Sequence, residues 1–271
     1  MKIHYLNCAT MYPRGAGLFV SCLDRSPALC MLIETNDQLV LVDTGFGTKD
    51  MADTGRLGPG ELLLNTRVDP DQPAIRQIEK LGFAREDVRH IICTHLDRDH
   101  AGGLSDFPEA SVHVLAAERD AVFHPKVFSE KERYRQCHFS HGPKWITHET
   151  LSGEKWFGME CINNIPDLPP EILLVPLQGH TRGQCGVAVD TGAGWSLHCG
   201  DTYYVKEELR QKGKASFGVR AFRRVAHVNF GRAMYQINRL IKLVREHGDE
   251  VRLIASHDQF EYRNIFGKPL D

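Results

Sequence analysis

The segment VRHIICTHLDRDHAGG, residues 88–103, runs without a break from apolar residues into four metal-type donors within six positions. The apolar part reads as a strand buried on both faces or nearly so, so the donors arrive at its C-terminal end. His95, Asp97 and Asp99 follow the two-residue alternation of a strand, while His100 points elsewhere. One turn could therefore present nitrogen and oxygen ligands in two directions. The glycines at 102 and 103 fit a tight turn or the start of a short helix.

The surrounding pattern indicates layers. LCMLIET and QLVLVDTG, with LFVSCL before them, are β-rich runs separated by the turn-forming DRSP and TNDQ. ASVHVLA, EILLVPL, QCGVAVD, GWSLHCGD and EVRLIAS are further strand candidates. A helix over about 72–81 is expected, with Asp71 as its cap, Ile75, Ile78 and Leu81 as its apolar stripe and Gly82 after it. The strongest helix signal is 231–247, with Asn229 as N-cap, Gly248 following, and Met234, Ile237, Leu240, Ile241 and Val244 on one face. Between 116 and 170 the patterning weakens; EKERYRQC reads as one exposed helical stretch, and the segment reads as a cap or insert beside a cleft. Strands both early and late, with helices between, imply two packed sheets covered by helices.

Composition narrows the function. The 271 residues carry 33 basic and 35 acidic side chains, so no broad positive field draws in nucleic acid or an anionic membrane. No apolar run approaches the ~18 residues of a membrane span, and the N-terminal sequence lacks the apolar stretch of a secretory signal. A cytoplasmic setting is expected. The eight dispersed cysteines form no CxxC pair and read as free thiols; Cys199, two residues before Asp201, reads mainly as core packing.

Three isolated residues complete the donor set, each closing a predicted strand: His180 after ILLVPLQG, Asp201 after WSLHCG and His257 after VRLIAS. Carboxyl ends of strands are where functional side chains gather around one mouth. Four imidazoles and three carboxylates could hold two divalent ions with a bridging carboxylate.

The ordered set resembles the metallo-β-lactamase superfamily, whose HxHxDH motif follows a strand and precedes a histidine, a bridging aspartate and a last histidine. VDTGFG at 42–47 resembles that family's early glycine-containing turn. The resemblance implies an α/β protein with an αββα sandwich, two mixed β-sheets flanked by helices, and residues 1–271 as one domain with a cap at about 116–170. It implies that His95, Asp97 and His180 hold one metal, that Asp99, His100 and His257 hold the other, and that Asp201 bridges them. Asp97 stands where the family has histidine. A carboxylate there lowers the cluster charge by one and makes the first site harder, better suited to Mn²⁺ or Fe²⁺ than three imidazoles would be.

Within the family, the chain is most similar to the quorum-quenching lactonases, which share HxHxDHAGG and a tyrosine three residues after the bridging aspartate; GDTYY places Tyr204 there. The resemblance implies a metal-dependent hydrolase that opens a small-molecule lactone or ester through a metal-bridging hydroxide, with zinc as the expected metal. Tyr204 would polarise the carbonyl and Asp99 would relay a proton. Asp43 and Thr94 are expected to orient ligand imidazoles. Phe19, Phe46, Tyr134, Phe139, Trp145 and Trp156 are candidates for an apolar cleft, and 129–158 for a homodimer contact. The alternatives are phosphoester or thioester hydrolysis, diiron redox chemistry, and a metal-binding protein without turnover.

Overall fold

Ten of the strands divide between two sheets, and their order explains how distant residues meet. The structure is a computed structural model that describes residues 1–15, 24–150, 153–210 and 216–270. The expected strand LFVSCL, with Phe19 and Cys22, lies outside the described residues.

The first sheet has the order β1 (Lys2–Met11), β2 (Ser26–Glu34), β3 (Leu39–Val42), β4 (Val88–Ile92), β5 (Ser111–Leu115) and β6 (Lys144–His148). The β1–β2 and β2–β3 pairs are antiparallel, and the rest of this sheet is parallel. A short hairpin, β7 (Glu154–Trp156) with β8 (Met159–Cys161), precedes the second sheet. That sheet contains β9 (Ile172–Pro176), β10 (Cys185–Asp190), β11 (Trp195–His198) and β12 (Val251–Ile254), ordered β12-β11-β10-β9. Because β10 is antiparallel to both β9 and β11, and β12 is parallel to β11, β9, β11 and β12 all end at the same edge.

Strand alternation builds the layers. Along β2, Leu29, Met31 and Ile33 point into the seam and meet Ile172, Leu174, Val187 and Ile254 of the second sheet. Cys30 and Leu32 point the other way and pack with Ile75 and Ile78 of the helix Ala74–Lys80. On the far side, Leu173, Val175, Leu197 and Leu253 pack with Leu240 and Leu243 of the helix Phe230–His247. Strands covered on both faces must be largely apolar, as β3 and β9 are. Each buried leucine or isoleucine contributes roughly 1.5–3 kcal/mol. The result is the expected helix–sheet–sheet–helix sandwich.

Three helix readings need correction. The helix starting at Ala74 is preceded by Pro73 rather than capped by Asp71, because proline's fixed φ favours helix entry. Gly82 follows it at φ 90°, as expected, but Leu81 is largely exposed. Asn229 does cap the long helix, accepting from the Arg232 amide. Its buried face, however, is Ala233, Gln236, Ile237, Leu240 and Leu243, while Val244 is exposed. The face is rotated because small Ala233 sits against Gly179, where an added Cβ would lie 2.4 Å from the Ala233 nitrogen. The EKERYRQC helix is only partly exposed, since Glu130 and Tyr134 are buried.

Candidate metal centre

All seven expected donors come together. His95, Asp97, Asp99 and His100 follow β4, whereas His180, Asp201 and His257 follow β9, β11 and β12. The two sheets thus supply opposite sides of one site. Three donor groups each have their ligand atoms within 4.8 Å: His95 with Asp97 and His180, His95 with His100 and Asp201, and Asp99 with His100 and His257.

Asp201 lies between the groups. Its Oδ2 is 3.5 Å from His180 Nε2 and 3.1 Å from His257 Nε2, and its Oδ1 is 3.3 Å from His100 Nε2. Asp97 Oδ2 is 3.1 Å from His180 Nε2 and 3.5 Å from His95 Nε2. His257 Nε2 lies 3.4 Å from Asp99 Oδ2.

Local structure aims these atoms. Asp97 occupies the N-cap position of the short helix Arg98–Ala101, yet its side chain makes no capping bond. An aspartate there ordinarily satisfies a backbone amide, so its carboxylate has been diverted toward the histidines. Gly102 and Gly103 let that helix nest against the 43–47 turn; a Cβ on Gly102 would lie 2.5 Å from Asp50 Oδ2. Gly45, at φ 63°, packs so closely that its Cβ would meet Cys8 at 2.2 Å. The family-like VDTGFG turn is therefore a platform for the ligand helix, and Thr44 donates from both its amide and its hydroxyl to the His100 carbonyl.

Each histidine spends Nδ1 on the protein and turns Nε2 to the centre. His100 Nδ1 bonds Asp43 Oδ2 at 2.9 Å, and His257 Nδ1 bonds the Pro27 carbonyl at 2.7 Å. Thr94 Oγ1 donates to Asp43 Oδ2 and so is free to accept from His95 Nδ1 at 3.0 Å. His180 Nδ1 lies 3.2 Å from both the Tyr204 hydroxyl and His227 Nδ1. Such partners fix the tautomer that leaves Nε2 as a ligand. Asp43 and Thr94 thus contact the imidazoles they were expected to orient, and Asp43 does so from the left-handed region at φ 56°.

The donor set fits divalent metal ions. His95 Nε2 and Asp201 Oδ1 are buried without a hydrogen-bond partner among the described residues. Buried polar atoms left unpaired at one point call for a missing partner. Nitrogen and carboxylate donors of this mix suit Zn²⁺, Mn²⁺ or Fe²⁺.

Electrostatics divides the cluster. Burial opposes protonation of His257, but Asp201 and Asp99 raise its pKa to about 9. Burial likewise works against His100, yet Asp201 and Asp43 hold it well above the usual imidazole value. At His180, burial and the nearby Arg133 charge win, and the pKa falls to about 3. Burial pushes the Asp97 carboxyl upward, but Arg133 and His95 hold it well below the usual range.

Several contributors left no clear signal in the sequence. Arg133 Nε is 3.3 Å from Asp97 Oδ1. Buried Glu118 accepts from the Leu96 amide at 3.0 Å, the Gly183 amide at 2.9 Å and the Tyr134 hydroxyl at 3.0 Å, tying together both ligand-bearing loops. These links join residues far apart in the chain, so no local spacing announces them.

The site forms the floor of a cavity of about 720 Å³, lined also by Tyr204, Met11, Leu63, Phe217, Phe222 and Val225. The aromatic candidates are elsewhere: Phe46, Tyr134, Phe139 and Trp156 are core residues, and Trp145 packs against the core. They were needed to fill the sandwich, while the apolar wall is built by the helix Phe217–Ala226, whose sequence mixes arginines with apolar residues. Tyr203 is fully buried and Cys199 packs in the core, neither reaching the donors.

A two-sheet sandwich whose edge gathers paired metal-donor groups defines a metallo-hydrolase. The chain belongs to the metallo-β-lactamase superfamily, whose family model matches residues 23–159. A probable metallo-hydrolase of Mycobacterium tuberculosis is 40% identical over 97% of this chain and 82% of its own length. An N-acyl homoserine lactonase of Bacillus thuringiensis is 24% identical over 69% of this chain and 68% of its own. The structure of a B. thuringiensis AiiA mutant with N-decanoyl-L-homoserine at its active site superposes with a TM-score of 0.71 at 20% identity, covering 99% of this chain and 98% of that one. At that identity the structural likeness speaks for the fold.

Proposed function

We propose that the protein is a binuclear metal-dependent hydrolase that opens small lactones or related esters bearing an apolar group. The observation that carries this reading is the position of Asp201 between two donor groups on the floor of a largely apolar cavity. The similarity to lactonases points the same way. His95, Asp97 and His180 would hold one ion and Asp99, His100 and His257 the other, with Asp201 shared. Bound there, the ions supply Lewis acidity toward a carbonyl and a nucleophilic water at neutral pH.

The chain's own groups supply the rest. Burial keeps the Tyr204 phenol protonated far above neutrality, with Asp201 adding to the shift, so it remains a hydrogen-bond donor. Facing the cavity, it can donate to the carbonyl oxygen as negative charge develops there. Asp99 borders the same cavity and is placed to take the proton released as water adds to the carbonyl and to pass it to the alkoxide when the carbon–oxygen bond breaks. Phe217 and Val225, 84% and 85% exposed, offer an apolar surface to an acyl chain.

Zinc is the expected metal, and the Asp97 carboxylate keeps iron or manganese in view. Residues 1–271 are read as one domain, in which the segment of about 116–170 reaches the cleft through Arg133 while its strand Lys144–His148 completes the first sheet. The dispersed cysteines of the sequence, none in a CxxC pair, support a reducing, cytoplasmic setting. The test is hydrolysis of a lactone series of increasing acyl length, beside thioesters and phosphodiesters, by zinc-, manganese- and iron-loaded protein. Turnover of lactones that improves with chain length is expected, with Phe217→Ser removing the length preference. Tyr204→Phe should lower kcat ~100-fold while metal content is kept. Silence on every lactone and ester, or turnover that requires iron and oxygen, would refute the reading.

A further inference from the structure

Asp97 has a neighbour that a histidine at its position would not need. Arg133 ends the helix Phe128–Arg133 and reaches the cavity floor, its Nε 3.3 Å from Asp97 Oδ1. Its Nη1 donates to the His180 carbonyl at 2.9 Å and its Nη2 to the Ala226 carbonyl at 2.7 Å. Both side chains are only 15% exposed, so their charges interact with little solvent screening. Asp99 and Asp201, by contrast, pair only with histidines among the described residues.

We propose that Arg133 is a positioning residue that returns the positive charge an aspartate at 97 removes, and that it decides which carboxylate oxygen faces the metal. The inference rests on the reading of the site as a two-metal centre. Two dipositive ions with Asp97, Asp99 and Asp201 sum to +1, whereas a histidine at 97 would give +2; counting Arg133 restores +2. The pair Asp97–Arg133 therefore stands in for one neutral imidazole.

Geometry makes the compensation specific. Two backbone carbonyls hold the guanidinium fork, so it cannot swing away as a surface lysine would. One of those carbonyls belongs to His180, a donor in the same group as Asp97. Arg133 thus braces both non-adjacent members of the first group. With Oδ1 turned to the guanidinium, Oδ2 is left toward His95 and His180. A carboxylate so neutralised donates less charge to an ion, which keeps that ion a stronger Lewis acid.

The experiment measures zinc equivalents by elemental analysis and zinc affinity by competition with a chromophoric chelator. It compares wild type, Asp97→His, Arg133→Gln and the double variant, with folding checked by circular dichroism. Wild type should take up two equivalents. Asp97→His alone leaves the guanidinium unpaired beside the ions and should weaken the first site by about tenfold or more. Adding Arg133→Gln should recover affinity to within about threefold of wild type, whereas Arg133→Lys, which keeps the charge, should not. Arg133→Gln by itself should leave the first site as tight or tighter. If Arg133→Gln does not fold, Arg133→Met carries the same comparison.

Additive losses in the double variant, or equal rescue by lysine, would overturn the inference while the metal centre stands. A folded wild type that takes up no zinc would overturn the metal-centre reading and this inference with it.

Discussion

Two sets of buried histidines show how little the residue type alone determines. His90, His113 and His148 sit side by side on β4, β5 and β6, joined by Nδ1···Nε2 contacts of 2.8 and 3.0 Å. Their hydrogen bonds run from ring to ring, and burial drives His113 down to about 3. At His257 and His100 of the metal centre, burial is met by Asp201, Asp99 and Asp43, and His257 rises to about 9, whereas His180, beside Arg133, falls to about 3. The central ladder histidine also consumes both ring nitrogens, whereas each histidine of the centre reserves Nε2. Carboxylates and free lone pairs, rather than imidazoles as such, make a cation site.

That contrast can be attacked directly. The largest effect is expected at Asp201, shared by both donor groups. Asp201→Asn removes a charge that several donors face, so several kcal/mol of transition-state stabilisation should go, ~1000-fold in kcat/KM. Elemental analysis should show fewer than two equivalents at the same time; full occupancy and activity would erase the distinction between the two sets. Asp43→Asn makes His100 more like a ladder histidine. Metal affinity should fall ~10–100-fold by chelator competition, while the fold is retained.

The smallest effect belongs to the ladder. His113 stays neutral in the fold to a pKa of about 3, against an ordinary value of 6.5 once unfolded. The unfolded chain therefore binds more protons between those values. Stability is fully present above 6.5 and declines as pH falls through that window, by up to ~1.4 kcal/mol per pH unit for one proton. In urea titrations across pH, His113→Gln should flatten the decline and leave zinc content at the wild-type value. Loss of zinc would join the two sets after all.

The legible parts of the molecule were those written into contiguous sequence. His95, Asp97, Asp99 and His100 announce themselves by density after an apolar strand, and His180, Asp201 and His257 by closing later strands. The strands β2, β3 and β9 were equally readable as strands from their apolar runs. What stayed hidden depends on tertiary approach. Arg133 lies where helical and apolar patterning is weak, and its role exists only because Asp97 and the 180 and 226 carbonyls converge on it. Glu118 resembles any helix glutamate until the Leu96 and Gly183 amides meet it. Phe46 and Trp156 misled because a large aromatic serves a core as well as a cleft, whereas Phe217 and Val225 gained meaning only from the cavity beside their helix.

The division of donors between the two sheets has a mechanical corollary. Near the mouth the sheets are stitched by few backbone contacts, such as Cys185 to Thr94 and Leu29 to Ser256, both at 2.9 Å. Ions gripped from both sides would act there as rivets, adding ~2.7 kcal/mol when free metal exceeds its dissociation constant a hundredfold. Loading the catalyst and fastening the sandwich would then be one event, and a chain deprived of metal would gape first at the edge where its chemistry resides.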